Sequence, residues 1–96
     1  MDIEIKGFDW DESNLKKLEK HKVAQDEAEE LFYVAPLIDE GAYEKANEKR
    51  YRCLGITSRG RYLAAFFTIR RGLIRNISVR SMRKSERKVY EKKKNE

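Results

Sequence analysis

Ten arginines, one histidine and a helix-spaced Glu86/Tyr90 pair carry most of the chemistry this chain can offer, and all ten arginines fall after residue 49. A guanidinium stays charged, and its planar fork donates two hydrogen bonds to phosphate oxygens, so arginine suits binding and stabilising phosphate. Arg80, closing a strand-length run, is the leading candidate, with Arg83 just beyond it and Arg50 and Arg61 on neighbouring runs. Glu86 either takes a proton or orients Arg80 or Arg83, and a carboxylate among several guanidiniums is held ionised. Tyr90, one turn later, presents a hydroxyl to phosphate or base, or packs in the core beside Val89. Arg75 and Arg87 complete the phosphate-binding candidates. His21 is the only histidine, the side-chain type that ordinarily exchanges a proton near neutrality; a two-histidine acid–base mechanism is excluded. Its plainer role is to bond the last carbonyls of a helix, where the dipole favours a cation. Lys20 beside it supplies a proton or a charge, or is simply solvated.

Other groups read as structural. Asp9, Asp11 and Glu12 form an acidic cluster, but they precede a helical pattern and serve as capping residues, and no second cluster supplies further ligands, so neither a metal nor another cofactor is expected. Cys53 is the lone cysteine, too few for an internal disulfide or a structural zinc site, which fits a reducing, cytoplasmic setting. It sits inside a strand-like run and should be buried and inert. Trp10 can stack on a base, yet beside Phe8 it reads as core.

The elements that position these groups follow from the periodicity. Ile3-Glu4-Ile5 alternates as a short strand, and Asp11 or Ser13 then caps a helix over 14–21 whose buried stripe is Leu15 and Leu18. A second helix over about 26–33 carries Ala24, Ala28, Leu31 and Phe32 on one face, with Asp26 and Glu29 spaced as an acidic cap pair. Pro36 ends this unit; Leu37-Ile38 starts a brief edge strand before a charged loop over 39–49. Then the period changes. Runs 50–57, 61–70 and 73–80 are strand-length, separated by Ser58-Arg59-Gly60 and Arg71-Gly72, both hairpin signals, so an antiparallel meander is expected. The run Tyr62 to Ile69 is almost continuously apolar, as a central strand covered on both faces would be. In the last strand, alternation places Leu73, Ile77 and Val79 on one face, with Arg75, and Ile74, Asn76, Ser78 and Arg80 on the other. A basic helix follows from about Arg83 to Lys92, and residues 92–96 read as a frayed tail. The fold class is α+β: a small antiparallel sheet packed by two N-terminal helices, with a C-terminal basic helix, in one domain over 1–96.

Length and composition agree. Ninety-six residues with 40% hydrophobic side chains support one small core, and 41% charged residues leave little apolar surplus. No apolar run reaches the 18 or so residues of a membrane span, and the first ten residues lack the basic start and apolar stretch of a signal peptide. The net charge of +5 hides a division. Residues 1–49 hold seven lysines against fourteen acids, net −7; residues 50–96 hold ten arginines and five lysines against three glutamates, net +12. Either a basic surface meets phosphates beside a separate acidic one, or the two halves pair across the fold.

The stretch Arg75-Asn76-Ile77-Ser78-Val79-Arg80, followed by Glu86-Arg87 and Tyr90, resembles the BrnT family of toxins from type II toxin–antitoxin modules. Phe8-Asp9-Trp10-Asp11 with Asn14 is similar to the family's opening motif, and Lys20-His21-x-Val23 to its K-H-G-V turn. Ala28-x-x-x-Phe32 with Pro36, then Arg52-x-x-Gly55 and Gly60-Arg61, continue the series, which covers about residues 8–91. Lys22 stands where the turn motif has glycine, Ala24 where Ser or Thr caps the second helix, and Gln25 where a hydrophobic residue is usual. A lysine at positive φ is uncommon, so a turn of different shape is expected.

The resemblance implies a RelE-like fold and a metal-independent endoribonuclease that inhibits translation and growth. It also implies a cognate BrnA-like antitoxin with a ribbon-helix-helix DNA-binding domain, and a hetero-tetramer of the pair around an antitoxin dimer. Such cleavage needs a base for the 2′-OH, cations for the phosphorane and an acid for the leaving oxygen. Arg80, Arg83, Glu86, His21 and Lys20 are the catalytic candidates, and Arg50, Arg61, Arg75, Arg87 and Tyr90 the RNA-binding ones. A non-catalytic nucleic-acid-binding module and a toxin retaining only partner binding are the alternatives; missing aromatic RNA-binding motifs and a missing recognition helix count against the former.

Overall fold

The computed structural model describes residues 4–45 and 48–96. Helix α1 (Glu12–Lys20) and helix α2 (Gln25–Glu30) precede strands β1 (Leu37–Lys45), β2 (Glu48–Ile56), β3 (Tyr62–Arg70) and β4 (Leu73–Ser81), and helix α3 (Lys84–Lys94) closes the chain. The strands form one antiparallel sheet in the order β1-β2-β3-β4, the expected meander with one strand more than the hydrophobic pattern shows plainly. The charged run over 39–49 is not a loop where it is described: residues 39–45 belong to edge strand β1 and residues 48–49 to β2, and the ladder between the two strands, from Leu37 opposite Leu54 to Lys45 opposite Glu48, makes strand of this polar segment. Residues 46 and 47 lie outside the described residues, as does Ile3; its neighbours Glu4 and Ile5 form no strand, and that segment contributes a single parallel bridge from Phe8 to Ile74 at the β4 edge.

Two layers cover the sheet. On one face α1 and α2 bury Leu18, Val23, Ala28, Leu31 and Phe32 against Cys53, Leu63, Ala65, Phe67, Ile74 and Val79. On the other, α3 lays Tyr90 on Leu54 and Ala64, flanked by Leu37, Ile56, Tyr62, Phe66 and Met82. The apolar β3 run is thus covered on both sides, as expected. Cys53 is fully buried, and desolvation pushes its thiol up to about 12. Gly55 lies directly under Leu31; a Cβ there would sit 2.9 Å from Leu31 Cδ1.

Local rules explain most ends. Asp11 caps α1, its carboxylate accepting from Asn14 N at 2.8 Å. The helix closes in a Schellman motif: Val23 N donates to Leu18 O and Lys22 N to Glu19 O, and Leu18 and Val23 are both buried. Lys22 takes the left-handed position at φ 56°, so the expected change of shape at this turn does not occur; the helix stop and the Leu18–Val23 contact hold it. Ala24 caps α2 without a side-chain bond, and Asp26 and Glu29 do not act as a cap pair, since Glu29 accepts from Trp10 Nε1 at 2.8 Å instead. On α1 the buried partner of Leu18 is Asn14, one full turn away, and Leu15 is exposed. The β3–β4 turn places Arg71 and Gly72 both at positive φ, the two-residue hairpin signalled by that dipeptide.

Candidate functional site

A β-bulge in β4 sets the site. Phe67 pairs with Asn76 and Phe66 with Ser78, leaving Ile77 as the extra residue. Strict alternation therefore fails at this point. Ile74, Asn76 and Val79 all face the α1/α2 layer, and Ser78 and Arg80 turn to the face that α3 covers. Beyond β4 the backbone N–H of Arg83, the N-cap of α3, donates to Glu86 Oε1 at 2.8 Å, which fixes Glu86 in the first turn.

Arg80 and Glu86 meet fork to fork. Nη1 donates to Oε1 at 2.7 Å and Nη2 to Oε2 at 2.9 Å, and Nη1 also donates to Ser81 O at 3.1 Å. Burial alone would raise the Glu86 carboxyl, but the Arg80 guanidinium and the Arg83 N–H outweigh it and hold the group below its ordinary value. The fork holds the Arg80 guanidinium against an ionised carboxylate. Together with Phe66, Ile77, Ser78 and Arg83, the pair lines an open groove of about 410 Å³. A roomier depression beside α1, of about 530 Å³, is lined by Asp11, Glu12, Ser13 and Lys16, and its acids make it unsuited to an anionic ligand.

The remaining candidates divide between the two layers. Arg50 lies on β2 two residues from Arg52, so it shares the α3 side of the sheet; its Nε is buried without a partner among the described residues. Arg87 stacks on the Tyr62 ring at 3.8 Å and pairs with Glu91. Tyr90 is buried and donates to Ala35 O at 3.2 Å, the core alternative. Arg61, Arg75, His21 and Lys20 do not join this group. Arg61 donates to Glu27 Oε1 at 2.9 Å and to Lys22 O at 2.7 Å, tying the β2–β3 turn to the α1–α2 turn. Arg75 pairs with the capping carboxylate of Asp11 and lies 3.5 Å from Asp9, stapling α1 to β4. His21 is the exposed C-cap of α1, its carbonyl accepting from Arg61, and Lys20 is exposed beside it; both belong to the α1 layer.

Sequence reasoning missed three neighbours of the groove. Arg52 is held by Asp39, Nε to Oδ1 at 3.2 Å and Nη2 to Oδ2 at 2.6 Å, and Phe66 stands opposite Arg52 across the β2–β3 ladder. The apolar run hid Phe66, and the loop reading of 39–49 hid Asp39. Arg52 alternates with Leu54 and Ile56, a signal that its side chain shares their face.

Charge pairing across the halves is extensive. Among the described residues, seven of the ten arginines form ion pairs, five of them with acids from the first half. Much of the basic half is therefore paired structurally; among the described residues Arg83 at the groove and Lys84, Lys88, Lys92 and Lys94 on α3 form no ion pair, nor do Arg50 and Arg71. Among the described residues no three His, Cys, Asp or Glu side chains converge, and no helix is long and apolar enough to cross a membrane.

Comparison with curated proteins finds no match. A family model described as the ribonuclease toxin, BrnT, of type II toxin–antitoxin systems matches residues 10–86, from Trp10 through the whole sheet to Glu86.

Proposed function

The chain belongs to the BrnT family of ribonuclease toxins of type II toxin–antitoxin systems, and on that premise we propose that residues 1–96 act as one RelE-like toxin domain that cleaves RNA without a metal, at the groove between β4 and α3. The observation that carries this reading is the Arg80–Glu86 fork. Arginine offers five N–H donors; Arg80 spends three on Glu86 and Ser81, and the rest are available to a scissile phosphate. Arg83, exposed at the mouth and without an ion pair among the described residues, adds a second cation. Attack of a ribose 2′-oxygen on phosphorus builds negative charge on the non-bridging oxygens, and a guanidinium already locked in place stabilises that charge without reorganising. The bond from phosphorus to the 5′-oxygen then breaks, the 2′-hydroxyl proton passing to solvent water and the leaving 5′-oxygen taking one from it, which gives a 2′,3′-cyclic phosphate and a 5′-hydroxyl end. Glu86 positions Arg80 and is a poor acceptor of the proton, since the Arg80 fork and the Arg83 N–H hold its proton affinity below that of an ordinary carboxylate.

Family membership implies a cognate antitoxin. We take it to be BrnA-like, with a ribbon-helix-helix domain, assembling as a hetero-tetramer in the cytoplasm and covering the groove; released toxin then halts translation and growth. The reading is tested with partner-free protein and a single-stranded RNA in EDTA. Cleavage to cyclic or 3′-phosphate ends is expected, and activity lost on chelation and restored by magnesium would overturn the metal-free mechanism.

A further inference from the structure

We propose, building on that reading, that Phe66 seats an RNA base, with Arg80 and Arg52 binding phosphates on either side of it. Phe66 is half-buried, whereas Leu63, Ala64, Ala65, Phe67 and Thr68 around it are all buried, and it lines the groove. Its cross-strand partners are Arg52 on β2 and Ser78 on β4, and the Arg80 guanidinium lies 4.9 Å from its ring centroid. One face of the ring therefore carries the Arg80 guanidinium, and the residue facing Phe66 across the β2–β3 ladder is Arg52.

Each cation is steered by a carboxylate from an outer element: Asp39 of β1 holds Arg52, and Glu86 of α3 holds Arg80. Arg52 spends two of its five donors on Asp39, so both guanidiniums keep N–H groups for a ligand. An apolar partner laid on Phe66 would desolvate those donors without replacing their bonds. Single-stranded RNA satisfies everything present, because its bases stack on an aromatic ring and its phosphates take the guanidiniums. The groove volume falls within the roughly 300–1,000 Å³ of small-ligand sites, enough for one nucleotide and not for a duplex.

The test uses the full chain and a 2′-O-methyl RNA oligonucleotide with 2-aminopurine in place of adenine, which binds without being cleaved. Stacking quenches 2-aminopurine, and anisotropy of an end label reports affinity separately. Wild type and Phe66→Tyr should quench the probe; Phe66→Leu should lose the quench and bind about 5- to 150-fold more weakly, the range of one base–aromatic stack. Arg52→Gln should keep the quench and flatten the log–log salt dependence by about 0.7, one phosphate contact on a single strand. Full quenching and affinity in Phe66→Leu, or an unchanged salt slope in Arg52→Gln, would overturn the seat. Quenching by a wild-type protein that fails to cleave the matching unmethylated RNA would keep the seat and sink the ribonuclease reading. Cleavage by wild type with an unaffected Phe66→Leu would do the reverse.

Discussion

Both oxygens of Glu86 are occupied, by the Arg80 fork and the Arg83 N–H, so the two residues have separable roles. Removing the cation that meets the phosphate should cost most: Arg80→Ala is expected to lower single-turnover cleavage by roughly 10² to 10³, comparable to losing one oxyanion donor. Wild-type rates in that variant would move the site elsewhere. Glu86→Gln leaves the guanidinium present but unsteered and should cost up to about 10²-fold, the penalty of misplacement. The same carboxyl also links stability to pH. Its folded-state proton affinity is depressed below the ordinary 4.5, so its contribution is complete above that value and disappears as pH falls through the lower, folded value. Urea midpoints measured from pH 7 down to pH 3 should drop more steeply for wild type than for Glu86→Gln; parallel curves would mean that the Arg80 bond does not favour the ionised form.

Among the elements, the turn between α1 and α2 and the close contact of Leu31 with β2 each leave one position with little choice of residue. Lys22 holds a left-handed position that glycine fills at little steric cost, so Lys22→Gly should raise unfolding free energy by about 1 kcal/mol. Gly55 has no room for a methyl group, because Leu31 is fully buried above it and the Leu31 carbonyl is 3.3 Å from the added carbon. Gly55→Ala should destabilise by about 1 to 3 kcal/mol through overpacking, read from chemical denaturation. Arg61 tests the division of labour among the arginines. It is the close partner of Glu27, whose side chain is 1% exposed and otherwise accepts from Thr57 Oγ1 and lies 3.8 Å from Arg59, so Arg61→Ala should cost about 1 to 3 kcal/mol by leaving a buried carboxylate underpaired. Cleavage per folded molecule should persist; a loss of cleavage at unchanged stability would return Arg61 to the RNA-binding set.

At the scale of the whole molecule, the field that meets RNA is smaller than the +12 of residues 50–96 implies, since five arginines are engaged by acids of the first half. Association with an antitoxin is expected to occlude the α3 side of the sheet and to weaken with salt, because steering between exposed charges is screened over about 8 to 10 Å. Amide exchange on the complex should show protection around Ser78, Arg80 and Arg83. Protection confined to α1 and α2, with those residues still exposed, would exclude inhibition by covering the groove.

What the sequence determined by itself was mostly local: the Asp11 cap, the Arg71-Gly72 hairpin, the doubly covered β3 run and the one-turn spacing of Glu86 and Tyr90. Each depends on a few adjacent residues whose conformational preferences agree. The α+β class and the meander follow from these, and the ordered motifs carry the family. Tertiary structure decided what depends on partners far along the chain. The bulge at Ile77 breaks the two-residue period, and only pairing with β3 reveals it. Asp39 reads as loop until β2 supplies the ladder that makes it a strand residue opposite Arg52. Arg61 and Arg75 look equivalent to Arg80 as residue types, yet acids 34 and 64 positions away occupy the first two, whereas Glu86 steers the third toward an open groove. A guanidinium reports its charge through its identity, but whether that charge is free for a ligand depends on which carboxylate the fold brings to it.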